Sequence, residues 1–269
     1  MRTIAVTSGK GGVGKTNISA NVGLALAQKG KRVVIFDADL GLANLDVVLG
    51  TKAQYALHDC LGGEKKLVEI VTHGPGGIQF IAGGSGVEAL VNLNSTQLER
   101  FLTELQDFSQ FTDIMIFDTG AGIDQTVMAF LQASDETLLV ITPDPASITD
   151  AYATAKLLFS HKPEAVVRVV LNQVFDEAQA RAVYSKVNGI AQQFLGKHLI
   201  FGGYIRHDLR ALQCIRKRQP YVIGDPLAPA SQDVFSVAAG LLGHEHTPER
   251  EGFVNRLRNV FSFGWKKSA

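Results

Sequence analysis

The chain has 269 residues, 46% of them hydrophobic, and its 26 basic and 26 acidic residues leave a formal net charge of zero. This length and composition allow one folded α/β domain and exclude a mostly disordered chain, while the neutral balance argues against a protein that binds nucleic acid over its whole surface. Charge is nevertheless uneven, because residues 250–267 hold five Lys or Arg and one Glu.

The two cysteines, Cys60 and Cys214, lie far apart and lack the spacing of a metal or redox motif. We expect both to be core residues in a reducing compartment. The N-terminus lacks the apolar core of a secretion signal, and no run approaches the roughly 18 apolar residues of a spanning helix. We therefore expect a cytoplasmic protein that is soluble or peripheral on the inner face of the cell membrane.

A glycine-rich segment, SGKGGVGKT, follows the first predicted strand at residues 8–16. Its spacing matches the G-x-x-x-x-G-K-[ST] pattern, in which backbone N–H groups and the positive end of a helix dipole cradle phosphates. We expect Lys15 to reach the β- and γ-phosphates and the hydroxyl of Thr16 to ligate magnesium. The predicted nucleotide-binding residues here are Gly9, Lys10, Gly11, Gly12, Val13, Gly14, Lys15, Thr16 and Asn17.

Lys10 is a second cation inside this loop, beside glycines that are expected to approach phosphate. It is either an exposed lysine without a role or a cation aimed at a nucleotide. Its position favours the nucleotide, although one chain does not say whether that nucleotide is its own.

Strands and helices alternate along the chain, which predicts an α/β fold with a doubly wound, mostly parallel sheet and helices on both faces. Ser95 is predicted to cap a helix from about Thr96, and Ser147 is predicted to open a further helix. Ligands in such sheets bind at the carboxyl ends of the strands. The glycine-rich loop, the pair Asp37 and Asp39, Asp118 and Asn172 all fall at predicted strand ends, so they form one candidate site.

The polar residues at these strand ends are candidates for binding a metal ion, positioning the attacking water and contacting the nucleotide base. Asp118 closes an apolar strand where a P-loop protein holds magnesium, unless it is an ordinary helix N-cap. Of the other two aspartates, one would orient the metal shell and one the attacking water, and we favour Asp39 for the water. Asn172 either pairs its amide with a purine edge or is a turn residue.

Residues 250–269 predict an amphipathic helix, separated by a linker at 244–249 from a nucleotide-binding domain at 1–243. On a helix, basic residues flank a broad apolar face. Such a helix fits an anchor that lies on an anionic lipid surface, and the alternative is a helix docked on the protein's own core. The polar linker favours a detached, membrane-binding helix, whose lipid-facing residues would be Phe253, Leu257, Val260, Phe261 and Trp265.

The strings SGKGGVGKT, DADLGLANLD, FDTGAGI and TPDPASITDAYA together resemble the MinD/ParA family of deviant Walker A ATPases over about residues 1–243. DADLGLANLD, the Gly-Ala-Gly after Asp118 and IRKRQPYV are similar to its flagellar branch, the FlhG/FleN (YlxH) regulators of flagellar number. The resemblance implies an ATP-dependent sandwich homodimer in which Lys10 contacts the nucleotide of the opposite subunit. It also implies a catalytic set of Lys10, Lys15 and Asp39, a metal set of Thr16, Asp37 and Asp118, and adenine contacts from Asn172 and the loop near Asp208.

The resemblance further implies slow ATP hydrolysis that a partner stimulates, with membrane binding through the C-terminal helix in the ATP state. The implied partners are an FlhF-type GTPase or flagellar basal-body and C-ring proteins, and nucleic acid is not an expected partner. Flagellar members often carry an N-terminal extension that activates that GTPase, and the present sequence begins at its first strand, so the resemblance leaves activation of the GTPase open. The expected output is flagellar number or placement; the alternatives are MinD-like division-site placement and ParA-like DNA segregation. An iron–sulfur carrier is disfavoured, because the cysteines do not match cluster-ligand positions.

Overall fold

A computed structural model of the protein describes residues 1–39, 44–84, 86–90, 93–243 and 251–263. Its eight strands form one sheet in the order β3-β4-β2-β5-β1-β6-β7-β8. Only the short edge strand β3 runs antiparallel to its neighbour, and every other pairing is parallel. The strands are β1 (Arg2–Ser8), β2 (Val33–Ala38), β3 (Thr72–His73), β4 (Gln79–Ile81), β5 (Ile114–Ala121), β6 (Glu136–Ile141), β7 (Val166–Val174) and β8 (Ile200–Arg206).

Helices cover both faces of the sheet, which confirms the predicted doubly wound fold. One face packs against α1 and α10 to α12, and the other packs against α6 to α9 and α13. The helices are α1 (Lys15–Gln28), α2 (Leu45–Leu49), α3 (Leu57–Leu61), α4 (Leu67–Ile70), α5 (Gly86–Leu90), α6 (Ser95–Ser109), α7 (Gln125–Ala133), α8 (Pro145–His161), α9 (Glu177–Leu195), α10 (Leu209–Arg216), α11 (Tyr221–Gly224), α12 (Pro229–Gly243) and α13 (Phe253–Phe263).

The central strands are apolar on both sides because each side faces a separate core. In β1, Ile4 and Val6 pack into one core and Ala5 into the other, as the two-residue period of a strand requires. All three side chains are fully buried. Burial on both faces is typical of parallel sheets, and it explains why these strands read as continuous apolar runs rather than as alternating ones.

Two strands run further than their apolar runs predict. β5 continues past Asp118 because it stays paired with β2 up to Ala38 and Thr119, and β7 continues past Asn172. Both polar side chains therefore lie inside strands, near the carboxyl edge, rather than just after them. Because strand pairing fixes the backbone there, the side chains of Asp118 and Asn172 have a better defined direction than they would have in a loop.

Two helices begin slightly earlier than predicted, α6 at Ser95 and α8 at Pro145. Asn94, not Ser95, caps α6 by accepting a hydrogen bond from Gln97 N, and Asp144, not Ser147, caps α8. Ser147 lies in the first turn of α8, where its backbone N–H donates to Asp144 Oδ1. Its hydroxyl in turn accepts from Thr142 N. The true caps stand one and three residues before the predicted ones, where their side chains reach the free N–H groups of the first turn.

The C-terminal helix α13 is docked on α6 and α7, contrary to the expectation of a detached helix. Phe253, Leu257 and Phe261 are at most 5% exposed, and Val260 is partly buried against the same core. The predicted lipid-facing side is thus the side that packs on the protein, because a groove of matching apolar character is available there. Trp265 and the linker at 244–249 lie outside the described residues.

Within the part of the chain that the structure describes, no helix combines the length and apolarity needed to cross a bilayer.

Candidate nucleotide-binding site

The glycine-rich loop turns sharply between β1 and α1. Gly14 has φ of 95° directly before α1, a conformation that L side chains rarely adopt. A methyl group on it would lie 2.5 Å from Nδ2 of Asn172. A methyl group on Gly9 would lie 2.3 Å from the backbone of Asp150 in α8. These glycines therefore let the loop lie close to two neighbouring elements while its N–H groups stay free to face a phosphate.

Lys15 lies at the start of α1 and is 7% exposed. Burial lowers the pKa of its ammonium, and the nearby carboxylates of Asp118 and Asp39 partly oppose that shift. The lysine is thus a desolvated cation that faces two carboxylates. Such a cation interacts more strongly with an incoming phosphate than a lysine in open solvent would.

Asp37 and Asp118 lie side by side on β2 and β5, as partners in the same register. Burial raises the pKa of Asp37 to about 7, and the neighbouring charge of Asp118 adds to that shift. Burial likewise raises the pKa of Asp118 to about 6, against hydrogen bonds from Thr16 and Ser19 that favour its charged form. A cation bound next to these two buried carboxyl groups would stabilise their charged forms.

Ser19 completes the surroundings of Asp118 and was missed in the sequence. Its hydroxyl donates to Oδ1 of Asp118 over 2.8 Å, and the side chain is fully buried. The available signal was its place three residues after Thr16, which puts both hydroxyls on one face of α1. Together the two hydroxyls orient the aspartate from the helix side.

Asp39 joins this group at the end of β2. The backbone N–H of Asp39 donates to Oδ1 of Asp37 over 3.2 Å. A methyl group on Gly120 would lie 3.2 Å from Oδ1 of Asp39, so Gly120 leaves room for this carboxylate. Its charge acts on both Lys15 and Asp37. The structure thus brings Lys15 and the three aspartates together, while the segment after Asp39, residues 40–43, lies outside the described residues.

The donor set fits a magnesium ion that arrives with a nucleotide. Three carboxylates face one lysine, and the negative charge of their neighbours adds to burial in raising the pKa values of Asp37 and Asp118. Across the described ranges, no three or more His, Cys, Asp or Glu side chains form a ready-made metal centre. Mg²⁺ in NTP sites typically takes only one or two carboxylates and completes its shell with phosphates and water.

Asn172 and Asp208 lie on a pocket beside the loop, together with Asn17 and Tyr221. Asn172 is 9% exposed, and its Nδ2 donates to the carbonyl of Val13 over 2.7 Å, so it holds the loop in place. Asp208 accepts from the backbone N–H groups of Arg210 and Ala230, so it joins the starts of α10 and α12. Both residues shape the pocket through bonds to the protein itself, a role the sequence did not predict.

Lys10 forms an ion pair with Asp144, with 3.0 Å between Nζ and Oδ1. Hydrogen bonds from Thr142 and Ser147, followed by Lys10, hold the pKa of Asp144 at about 2. The lysine is therefore paired with the cap of α8 within its own chain. The sequence analysis assigned no role to Asp144, because no motif marks it within the string TPDPASITDAYA.

The charge cluster predicts a pH-dependent instability of the nucleotide-free protein. Because the folded-state pKa of Asp37 is about 7 instead of 3.8, its contribution favours folding at low pH and is lost as the pH rises towards and through 7. We expect Asp37→Asn to raise the free energy of unfolding at pH 8 by about 1–3 kcal/mol, and by less at pH 5. Urea unfolding without nucleotide or metal measures this. Asp107→Asn, at an exposed position on α6, should have no such effect, and an Asp37 variant no more stable than wild type at pH 8 would contradict the expectation.

The chain is similar along most of its length to a family of P-loop NTPases and to several known proteins. The family model described as ParA, NUBPL iron-transfer P-loop NTPase, matches residues 1–241. The antiactivator FleN of Pseudomonas aeruginosa is 38% identical over 238 residues, which cover 88% of this chain and 85% of that protein. The flagellum site-determining protein YlxH of Helicobacter pylori is 41% identical over 245 residues, 89% of this chain and 81% of that protein. In solved structures, the MinC:MinD cell division protein complex of Aquifex aeolicus matches with a TM-score of 0.76 and 27% identity, covering 94% of this chain and 100% of that chain.

Cysteine thiolates are the usual protein ligands of iron–sulfur clusters. Cys60 and Cys214 are both buried, and they belong to the cores on opposite faces of the sheet. Burial raises the pKa of the Cys60 thiol to about 12, which disfavours the thiolate that binds metals. The structure therefore places these two thiols as core residues, in agreement with the sequence.

Proposed function

Because this chain belongs to the ParA family of P-loop NTPases, we propose that it is a Mg-ATP-dependent switch that regulates the number or placement of flagella. The observation that carries the flagellar assignment is its similarity to FleN and YlxH along most of its length. The cluster of buried Lys15, Asp37 and Asp118, with the partly buried Asp39 beside it, supports the nucleotide chemistry.

In the proposed reaction, the loop and Lys15 bind the phosphates of ATP, and the pocket beside Asn172 receives the base. Thr16, Asp37 and Asp118 would hold Mg²⁺, which supplies positive charge to the transferred phosphoryl group when it is bound. Asp39 orients the attacking water from the end of β2. Turnover is slow until a partner protein stimulates it.

Dimer formation is the second part of the proposal. Lys10 is 44% exposed, so its ammonium is accessible to a second copy of the chain. In the ATP-bound homodimer, each Lys10 contacts the phosphates of the opposite subunit. A phosphate shielded from water between two subunits attracts a cation more strongly than a solvent-exposed carboxylate does.

Membrane attachment is the third part, and the docked α13 gives it a physical basis. The side chains predicted to face lipid are those that α13 now buries, so docking and lipid binding exclude each other. Exposing Phe253, Leu257 and Phe261 to water would cost about 5–9 kcal/mol. A lipid surface would bury the same side chains again, so release needs a membrane together with a change that loosens the groove. We propose that the ATP-bound dimer supplies that change.

The groove is connected to the site through β5. The ring of Phe253 stacks on that of Phe117, with 4.9 Å between centroids, and Phe117 directly precedes Asp118. Phe117 also stacks on Phe130 of α7. A shift of β5 when Asp118 engages a metal and nucleotide would therefore reach the packing of α13.

Flagella on cells that lack the gene provide the direct test of the proposed function. We expect an abnormal number or position of flagella, restored by the wild-type chain. Normal flagella combined with misplaced division septa would contradict the flagellar assignment. That result would favour the second candidate, a MinD-like regulator of division-site placement, which the structural similarity to the MinC:MinD complex supports. The FlhF-type GTPase and the C-ring proteins are the partners to test in the flagellar case.

A further inference from the structure

The pairing of Lys10 with Asp144 carries an inference about how the dimer is controlled. The carboxylate of Asp144 is fixed before the lysine arrives, because Oδ2 accepts from Thr142 Oγ1 over 2.5 Å and Oδ1 accepts from Ser147 N over 3.0 Å. The loop is also pressed against the same helix at Gly9, where a methyl group would lie 2.3 Å from the backbone of Asp150. The first turns of α8 therefore form a preformed contact surface for this part of the loop.

The ion pair with Asp144 holds Lys10 only weakly. Asp144 caps the N-terminus of α8, a helix of 17 residues whose N-terminal end carries partial positive charge and repels an ammonium group. Asp144 is the group that offsets this repulsion. The pair is also open to water, with 44% of the Lys10 side chain and 41% of the Asp144 side chain exposed. Exposed ion pairs of this kind change an equilibrium by only about 1.5- to 5-fold.

We propose that Asp144 is a positioning residue that holds Lys10 within its own subunit and competes with the phosphates of the opposite subunit's nucleotide. The proposal rests on the trans contact of Lys10 in the proposed function. In the free protomer, Asp144 keeps the ammonium neutralised at the edge of the loop. On dimer formation each lysine leaves its carboxylate, so the pair opposes association until a triphosphate is present. Asp144 thereby raises the threshold for dimer formation.

The test is the dissociation constant of the full-length dimer with a non-hydrolysable ATP analogue and Mg²⁺, measured by analytical ultracentrifugation. Asp144→Asn removes the charge and keeps a side chain that caps helices well. We expect it to tighten the dimer by about 1.5- to 5-fold for each lysine, or about 2- to 25-fold for the two together. The gain should shrink in 1 M salt, where exposed charges are screened. Asp144→Glu restores the carboxylate and should return the affinity towards that of wild type.

Two further variants separate a role through Lys10 from a role in the helix. Asp176→Asn alters the cap of α9, where Asp176 Oδ1 accepts from Gln179 N over 2.8 Å, and it should leave the dimer unchanged. In a Lys10→Ala background, Asp144→Asn should have no effect. The inference is overturned if Asp144→Asn fails to tighten the dimer, or tightens it equally without Lys10. A wild-type chain that stays monomeric with the analogue would overturn the proposed dimer and this inference with it.

Discussion

Lys15→Met should weaken binding of ATP about 100-fold or more and abolish nucleotide-dependent dimer formation. The ammonium is the buried cation that faces the aspartate cluster, and losing a charged hydrogen bond to phosphate costs about 1.5–3 kcal/mol. Leaving the three carboxylates without that cation adds electrostatic repulsion against a triphosphate. Methionine keeps most of the buried volume, so the fold should survive. Calorimetric titration with ATP and sedimentation of the ATP-bound chain measure the two effects.

Lys31→Ala is the matched control, because Lys31 is an exposed lysine just after α1. It should bind ATP and dimerise like wild type. An unchanged dimer fraction for Lys15→Met in ATP would show that the loop is not the nucleotide site.

Arg256→Ala should make membrane binding largely independent of ATP. Arg256 is 8% exposed in the docked helix, where Nε donates to Ala133 O and Nη2 pairs with Asp135 Oδ1 over 2.6 Å. Asp135 in turn accepts from the N–H and hydroxyl of Thr3, so this contact fastens α13 to the start of β1. Breaking such a buried pair costs about 3–5 kcal/mol, which would weaken docking about 100-fold or more. The apolar face of α13 remains intact for lipid.

Arg258→Ala is the control for charge alone. Arg258 is also on α13, but its pair with Glu99 is exposed and contributes little to docking. Flotation with vesicles that contain anionic lipid should show Arg256→Ala at the membrane with ADP, and Arg258→Ala there only with ATP. If Arg256→Ala stays in solution with both nucleotides, the docked contact does not restrain membrane binding. A chain ending at residue 250 should not float under any condition.

Most of the fold was predictable because strands of a parallel sheet are buried on both faces and therefore have continuous apolar sequences. Continuous apolar runs mark strands such as β1 and β6, and the glycine-rich loop marks the first turn from strand to helix. Strand ends were predicted less well. β5 passes through Asp118 because pairing with β2 continues, and that pairing depends on residues about 80 positions apart rather than on local propensity.

The contacts of the site that were not predicted join distant segments of the chain. Ser19, Asn172 and Asp144 act on Asp118, Val13 and Lys10 respectively. No local pattern identifies the partner in any of these pairs, although the spacing of Ser19 from Thr16 places both hydroxyls on one face of α1. The docking of α13 was considered as the alternative but not favoured, for a different reason. An apolar face flanked by arginines has the same appearance whether it covers lipid or a groove of its own protein, and only the tertiary structure shows that Arg256 is buried.

Hydrogen–deuterium exchange of residues 253–263 tests the central claim most directly, because it reports whether α13 is docked. The measurement compares Asp39→Ala, which should bind ATP without hydrolysing it, in ATP and in ADP with anionic vesicles present. With ATP, we expect the segments of α6 and α7 that α13 covers to lose protection, while the chain moves to the vesicle fraction through residues 253–263. With ADP, the docked pattern should persist in solution. Equal protection of the groove and equal vesicle binding in both nucleotides would contradict an ATP-driven switch.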